Sequence, residues 1–376
     1  MIEQPLALIA AIVAVTALGF WLEDKFIWAR HISGSLLIIF FGALLSNLEL
    51  VPLASPVYDA IWGPVTSLAI VWLLFGVRLA DLRAAGPRML FAFGLAVIAT
   101  SLGAFAAALV FGGSFPEDAW RLGGVMTGTY AGGSLNFVAV GREVDLSGTL
   151  FTAAAASDNV LTALWMGATL LLPLWLRRFY PARSQTAATG DGKEQPTSFL
   201  GTWNATPFDV LALLTLGLGL ILASDAITAQ WPAVPSVIWL TSLALVVGQI
   251  PAVRRLSGSM HMGLIALNLF FVVIGIASRI SEILRVGIEV FYFTAMVILV
   301  HGVIVYLGGR LMRLDVETLS VASQAAVGGP STAMALATAR GWRELALPGI
   351  AVGLLGYAVG TYAGIAVASV LRSMLG

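Results

Sequence analysis

Of the 20 Asp and Glu side chains, Asp158 alone lies deep inside a long apolar stretch. It sits in AAAASDNVLTALW, with Asn159 beside it and Thr162 one helical turn further along the same face. An ionised acid at mid-membrane depth costs about 2.5–3.5 kcal/mol on insertion scales, so one that is kept there points to a task. Asp158, Asn159 and Thr162, together with Ser323, Gln324 and backbone carbonyls freed at breaks in helices, form an oxygen-rich set suited to Na⁺. A proton carried by Asp158 is the alternative coupling ion.

A second constellation is built on paired glycines. AGGSLNFVAV at 131–140 matches VGGPSTAMAL at 327–336. Glycine takes positive φ and admits close approach, so Gly132, Gly133, Gly328 and Gly329 suit the tips of interrupted helices. Ser134 reads as the N-cap of a new half-helix with Asn136 in its first turn. Pro330 fits the first position of another, followed by Ser331 and Thr332. Two half-helix N-termini facing one midplane space would present partial positive charge to an anionic group such as a carboxylate. Thr127, Thr129, Ser320, Ser323 and Gln324 add polar groups on the approaches. His301, also mid-helix, is a weaker candidate for proton relay, and Asn268 and Gln249 are weaker still.

These residues need a membrane scaffold around them. The chain has 376 residues, 59% hydrophobic and only 11% charged, with no net charge. Soluble domains carry about 25% charged residues, so the composition specifies a multi-pass membrane protein. It excludes a disordered chain and a basic nucleic-acid binder. Without cysteine there is no disulfide, Cys-ligated zinc or thiol chemistry. No HExxH or GxGD-type pair is present, so an intramembrane enzyme is disfavoured and no cofactor is expected beyond the coupling ion. Ten apolar stretches are long enough to span: 5–21, 32–50, 57–77, 88–112, 147–176, 207–225, 233–250, 258–277, 288–308 and 346–374. The leading residues carry Glu3 and no Lys or Arg, which argues against a cleavable signal. Residues 177–206 are polar and read as a linker between halves 1–176 and 207–376.

The positive charges decide whether the glycine-pair segments cross the membrane. If both cross, the 20 Lys and Arg divide 10 against 10 between the two sides. If both are re-entrant hairpins, the division is 15 against 5, as cytoplasmic enrichment requires. The hairpin arrangement also gives each half five crossings, so the halves are inserted in opposite orientation, the inverted repeat of many secondary transporters. Both termini are then expected outside the inner (plasma) membrane and the linker in the cytoplasm.

The segments 128–140 and 323–335, with the Ser157-Asp158-Asn159 core, resemble the YjcL-like family, a group of multi-pass membrane proteins carrying a domain of unknown function. The resemblance runs through both halves. More distantly the plan is similar to carboxylate and glutamate symporters, bile-acid symporters and Na⁺/H⁺ antiporters. Those families imply an elevator movement of a core domain against a dimeric scaffold. The carboxylate symporters close each tip with Gly-Gly-x-Gly. Here the tips read GGSL and GGPS, a departure from the dicarboxylate and citrate pattern.

The expectation is therefore an all-α polytopic protein, an inverted repeat of two five-span halves with scaffold and core. It would move a small organic solute, a carboxylate-bearing one among the options, coupled to Na⁺ or H⁺. The partners expected are the lipid bilayer, that solute and a second copy in a homodimer. A cation/proton antiporter or a channel without organic substrate is the runner-up.

Overall fold

A computed structural model describes residues 2–182 and 203–375. Most of the expected linker, residues 183–202, lies outside the described residues. The described residues form helices and turns, with no strand among them.

Besides a short helical turn at Ile27–Ile32, the main helices of the first half are α1 (Pro5–Lys25), α2 (Gly34–Asn47), α3 (Pro56–Phe75), α4 (Leu82–Phe111), α5 (Ala119–Gly132), α6 (Ser134–Glu143) and α7 (Gly148–Leu176). Besides a single turn at Pro251–Arg254, those of the second half are α8 (Pro207–Gln230), α9 (Ser236–Gly248), α10 (Ser259–Ile276), α11 (Ile280–Leu311), α12 (Val316–Ala339) and α13 (Arg343–Leu375). Among the described residues, eight helices are long and apolar enough to cross a membrane. The protein is an all-helical, polytopic membrane protein.

The helix starts are written locally. Pro occupies the first turn of α1, α3 and α8, where no intrahelical donor is lost. Ser55 caps α3, and a reciprocal Thr206–Asp209 capping box starts α8. Asp315 caps α12, accepting the Thr318 N–H at 2.8 Å.

Two expected spans, 32–50 and 233–250, are shorter as helices than as apolar runs. They become α2 with 14 residues and α9 with 13, about 20 Å each against an apolar thickness of about 30 Å. Ser33, at φ 81°, ends the preceding turn and delays the start of α2. Each short helix is the second of its half. The order continues in step: α1 and α8 have 21 and 24 residues, α4 and α11 have 30 and 32, and α7 and α13 have 29 and 33.

The described chain forms two compact units, and each draws on both sequence halves. One comprises Met1–Phe75, Asp145–Val160 and Ala205–Thr294. Its centre is the α2–α10 pair, where Gly42 and Gly275 allow the backbones to touch and Ser35 Oγ donates to Asn268 Oδ1 at 2.9 Å. The other comprises Gly76–Val144, Leu161–Asn204 and Ala295–Gly376, and it holds both glycine-pair segments.

Candidate functional site

Both glycine-pair segments are helical hairpins. A Cβ on Gly128 would lie 3.0 Å from Val140 Cγ2 and 3.1 Å from the Asn136 carbonyl oxygen. In one continuous helix those twelve residues would span about 18 Å. At the open end, Arg121 Nε donates to the Val144 carbonyl at 2.9 Å. Hairpin 1 is therefore α5 descending to Gly132 and α6 returning from Ser134. In hairpin 2, formed by α12, Thr332 Oγ1 donates to the Gln324 carbonyl at 3.2 Å across the turn. Further back, Val321 and Ala333 both flank Gly349 of α13.

The turns are made by single glycines. Gly133 has φ 81° and ψ −171°, and Gly329 has φ 78° and ψ −172°. That region is essentially closed to residues with a Cβ. The N-cap of α6 is thus Gly133, and Ser134 is its first helical residue rather than the cap. The non-helical torsion falls one residue earlier than the side-chain pattern suggested. Pro330 does occupy the first position after the Gly329 break.

Helix α13 is the common seat. Along it, Gly349 meets Val321 and Ala333, Gly353 meets Pro330, Gly356 meets Ala131, Gly360 meets Gly128, and Gly364 meets Gly124. Hairpin 2 thus approaches from the N-terminal end of α13 and hairpin 1 from its C-terminal end. The tips meet between Gly353 and Gly356. Tyr357 lies at this junction. A Cβ on Gly133 would be 3.6 Å from Tyr357 Cε1, and one on Gly329 would be 3.9 Å from Tyr357 Oη. The bases of the hairpins have separate neighbours. Trp120, at the base of hairpin 1, has the guanidinium groups of Arg121 and Arg372 over its ring. Glu317, at the base of hairpin 2, faces Arg177 at 3.9 Å.

Asn136 fastens hairpin 1. Its Nδ2 donates to the Gly356 carbonyl at 3.0 Å, and its Oδ1 accepts from Thr361 Oγ1 at 2.7 Å. Thr127 is buried and donates to the Gly123 carbonyl of its own helix at 2.8 Å, and Thr129 is buried beside it. Ser134 and Ser331 are exposed, one residue and two residues past the turning glycines.

A buried hydrogen-bond chain joins the hairpins. Trp165 Nε1 donates to Ser323 Oγ at 3.0 Å, and Ser323 Oγ lies 2.8 Å from His301 Nε2. His301 Nδ1 lies 2.8 Å from Thr100 Oγ1, which donates to the Tyr130 carbonyl at 3.0 Å. The Tyr130 carbonyl can only accept, so the Thr100 hydroxyl proton points to it and His301 Nδ1 carries a proton to give. The Trp165 N–H can only donate, so Ser323 Oγ accepts from it and keeps its own proton free for Nε2. With the ring protonated at Nδ1 alone the chain runs one way through His301, which is fully buried.

Residues 10–374 match the family profile described as a protein of unknown function, DUF819. The chain belongs to the DUF819 family. It is 30% identical over 365 residues to the uncharacterized membrane protein YjcL of Bacillus subtilis (strain 168), covering 93% of this chain and 92% of YjcL. For this DUF819 chain the hairpin pair and its seat on α13 lie wholly inside the matched span.

The structure distributes the expected site residues between the two units. Gly132, Gly133, Asn136, Gly328, Gly329, Pro330 and Thr332 gather at the junction of the tips. Gln324 stands one turn before Gly328, while Ser323 belongs to the His301 chain. Asp158 and Asn159 belong to the other unit. There Asp158 is half-buried on α7, and Asn159 Nδ2 donates to the Ala155 carbonyl of its own helix at 2.8 Å. Thr162, half-buried, follows on the part of α7 that belongs to the hairpin unit. Among the described residues no group of three or more His, Asp and Glu side chains is placed to hold a metal ion. The residues missed from sequence are Tyr357, Thr361, Thr100, Trp165 and Thr169. The available signal was GIAVGLLGYAVGTYAG at 349–364, with a glycine every third or fourth residue, the spacing of a close-packed helix face.

Proposed function

We propose that the protein is a secondary active transporter for a small organic solute, coupled to Na⁺ or H⁺. The observation that carries this reading is the meeting of two oppositely directed hairpin tips on either side of Tyr357. Broken helices that end near mid-depth expose backbone groups, which lipid does not tolerate and a solute or water can satisfy. On this reading both hairpins are re-entrant, the halves are an inverted repeat, and the tips form the solute site. Asp158, with Asn159 and Thr162, supplies the ion site. The unit holding the hairpins is the moving element of an elevator cycle, and the unit holding α1–α3 and α8–α10 is the scaffold of a homodimer in the plasma membrane.

Two experiments test it. Uptake into proteoliposomes under imposed Na⁺ and proton gradients separates a pump-like symporter from a channel, because a channel equilibrates a solute and never concentrates it. Single cysteines placed at Arg142 and Arg340 test the hairpins. Re-entry puts the first outside and the second in the cytoplasm, and labelling of Arg142→Cys from the cytoplasm would sink the arrangement.

A further inference from the structure

Two spanning helices, α7 and α11, end together in the unit that holds the hairpins, and a cluster of guanidinium groups stands at their ends. Helix α7 runs on into a single tight turn, Arg177–Phe179. Tyr180 follows, and its Oη donates to the Tyr306 carbonyl of α11 at 2.6 Å, which fastens the turn to that helix. Arg310 lies in the last turn of α11. Its guanidinium carbon is over the Phe179 ring, 5.6 Å from the centroid, and that of Arg178 is over the same ring at 4.6 Å. Both distances are within cation–π range. Arg177 precedes them in the same turn.

The ring holds these groups without consuming their donors. A guanidinium stacked on an aromatic face keeps N–H groups at its edge, in the planar fork that suits a phosphate. Among the described residues neither Arg178 nor Arg310 forms an ion pair. The two acids that follow α11 leave this charge standing. Asp315 is buried and occupied in capping α12, and Glu317 faces Arg177. The cluster at Trp120 differs, because Arg121 there is held by Asp118 at 2.6 Å and by the Val144 carbonyl at 2.9 Å. Within about one turn of Arg178 and Arg310 the side chains are apolar and exposed: Leu174 and Trp175 on α7, Leu307 and Leu311 on α11. Positive charge bordering exposed apolar side chains, at the ends of two spanning helices, matches an anionic phospholipid rather than a free anion.

We propose that the Arg178–Phe179–Arg310 cluster binds the headgroup of an anionic phospholipid. The phosphate bridges the two guanidinium groups, and the acyl chains lie along the exposed apolar side chains of α7 and α11. Phe179 is a positioning residue that keeps both guanidinium groups on one ring, and Tyr180 fixes that ring's turn against α11. A lipid held there ties the ends of α7 and α11 together and so stabilises the unit that holds the hairpins. The site stands on these contacts alone, and it holds or fails independently of the transporter reading.

The test is native mass spectrometry and thermal unfolding of the purified full-length protein in detergent. The probes are phosphatidylglycerol, phosphatidylcholine as a lipid without net charge, and inorganic phosphate as an anion without acyl chains. Phosphatidylglycerol is expected to bind saturably and to raise the unfolding midpoint, and the other two at equal concentration are not. Arg178→Gln is expected to weaken phosphatidylglycerol binding about fivefold, and Arg178→Gln with Arg310→Gln about tenfold or more, as the loss of one and of two charges near a membrane surface predicts. The single variant serves if the double variant does not fold. Phe179→Leu keeps the charges and the apolar bulk but removes the ring, and is expected to weaken binding about two- to fivefold. Arg254→Gln with Arg255→Gln removes the same charge from the other unit and should leave binding unchanged. The site is overturned if phosphatidylcholine binds as tightly as phosphatidylglycerol, or if inorganic phosphate alone gives the same stabilisation. It is equally overturned if the Arg178–Arg310 double variant binds phosphatidylglycerol like wild type, or if the Arg254–Arg255 variant loses as much, which would show general charge attraction rather than a site.

Discussion

Gly133 and Gly329 share one backbone conformation to within a few degrees, although one lies in the first half of the chain and the other in the second. Both flank the ring of Tyr357, the first at Cε1 and the second at the hydroxyl. Two tips that turn alike and meet at one phenol are the structural basis of the functional reading.

Alanine at either glycine tests the turn by conformation alone. The nearest atoms to an added Cβ are 3.6 Å and 3.9 Å away, so there is room for it. The cost is the backbone torsion, about 1–3 kcal/mol at each position. Gly133→Ala and Gly329→Ala should therefore lower the unfolding midpoint of the purified protein. Gly353→Ala should lower it by steric conflict instead, because the added Cβ would sit 2.6 Å from Pro330 Cα. Wild-type stability in Gly329→Ala would contradict the torsional account.

Asn136 should be the fastening of hairpin 1. Asn136→Ala leaves the Gly356 carbonyl and the Thr361 hydroxyl without this partner, a loss of about 1–3 kcal/mol. Hydrogen exchange should show reduced protection over residues 128–140 and little change over 318–328. Uniform loss across both hairpins would show that Asn136 supports the whole unit rather than one tip.

The His301 chain predicts a tautomer. Nitrogen-15 spectra of the protein carrying His301 as its sole histidine should show a neutral ring protonated at Nδ1. His301→Phe keeps the bulk and removes both hydrogen bonds, so the Trp165 indole N–H resonance should move. A double-mutant cycle between His301→Phe and Ser323→Ala should give a coupling of about 0.5–3 kcal/mol. An Nε2–H tautomer would reverse the direction of the chain and contradict the assignment.

Asp158 is predicted to carry ion coupling and nothing else. Asp158→Ala should insert and fold normally yet lose the dependence of transport on the Na⁺ or proton gradient. Stabilisation of the wild type by Na⁺ but not K⁺ should disappear in the same variant. Gradient-driven rates equal to wild type would remove Asp158 from the mechanism.

Much of the fold is legible in the sequence because membrane helices announce themselves by length and hydropathy. The glycine pairs at 132–133 and 328–329 marked both tips, since few other residues can turn a chain inside a bilayer. The charge count chose hairpins over crossings, and the contact of Gly128 with Val140 shows arms that fold back. The rest depended on tertiary packing. Nothing local distinguishes Tyr357 from the other tyrosines until α13 is seen to run between the tips. Asn136 and Gln324 both look like candidate ligands in sequence, yet Asn136 is held by the Gly356 carbonyl and Thr361, and Gln324 is bonded to Thr169. Asp158 stood out because it is an acid at mid-helix, whereas its place in a different unit from the tips follows from long-range packing that no local pattern carries. The second and seventh stretches read as longer than their helices because apolar residues continue past the helix ends, beyond Asn47 in one and before Ser236 in the other.

The central claim is that the paired hairpin tips form the solute site of a secondary transporter. Uptake of a panel of small metabolites into proteoliposomes, under imposed Na⁺ or proton gradients, tests it most directly when wild type and Gly329→Ala are compared side by side. The account predicts that wild type concentrates at least one organic solute, that an ionophore abolishes the accumulation, and that Gly329→Ala loses it while remaining inserted. Failure of wild type to concentrate any solute under either gradient, or undiminished accumulation by Gly329→Ala, would contradict it.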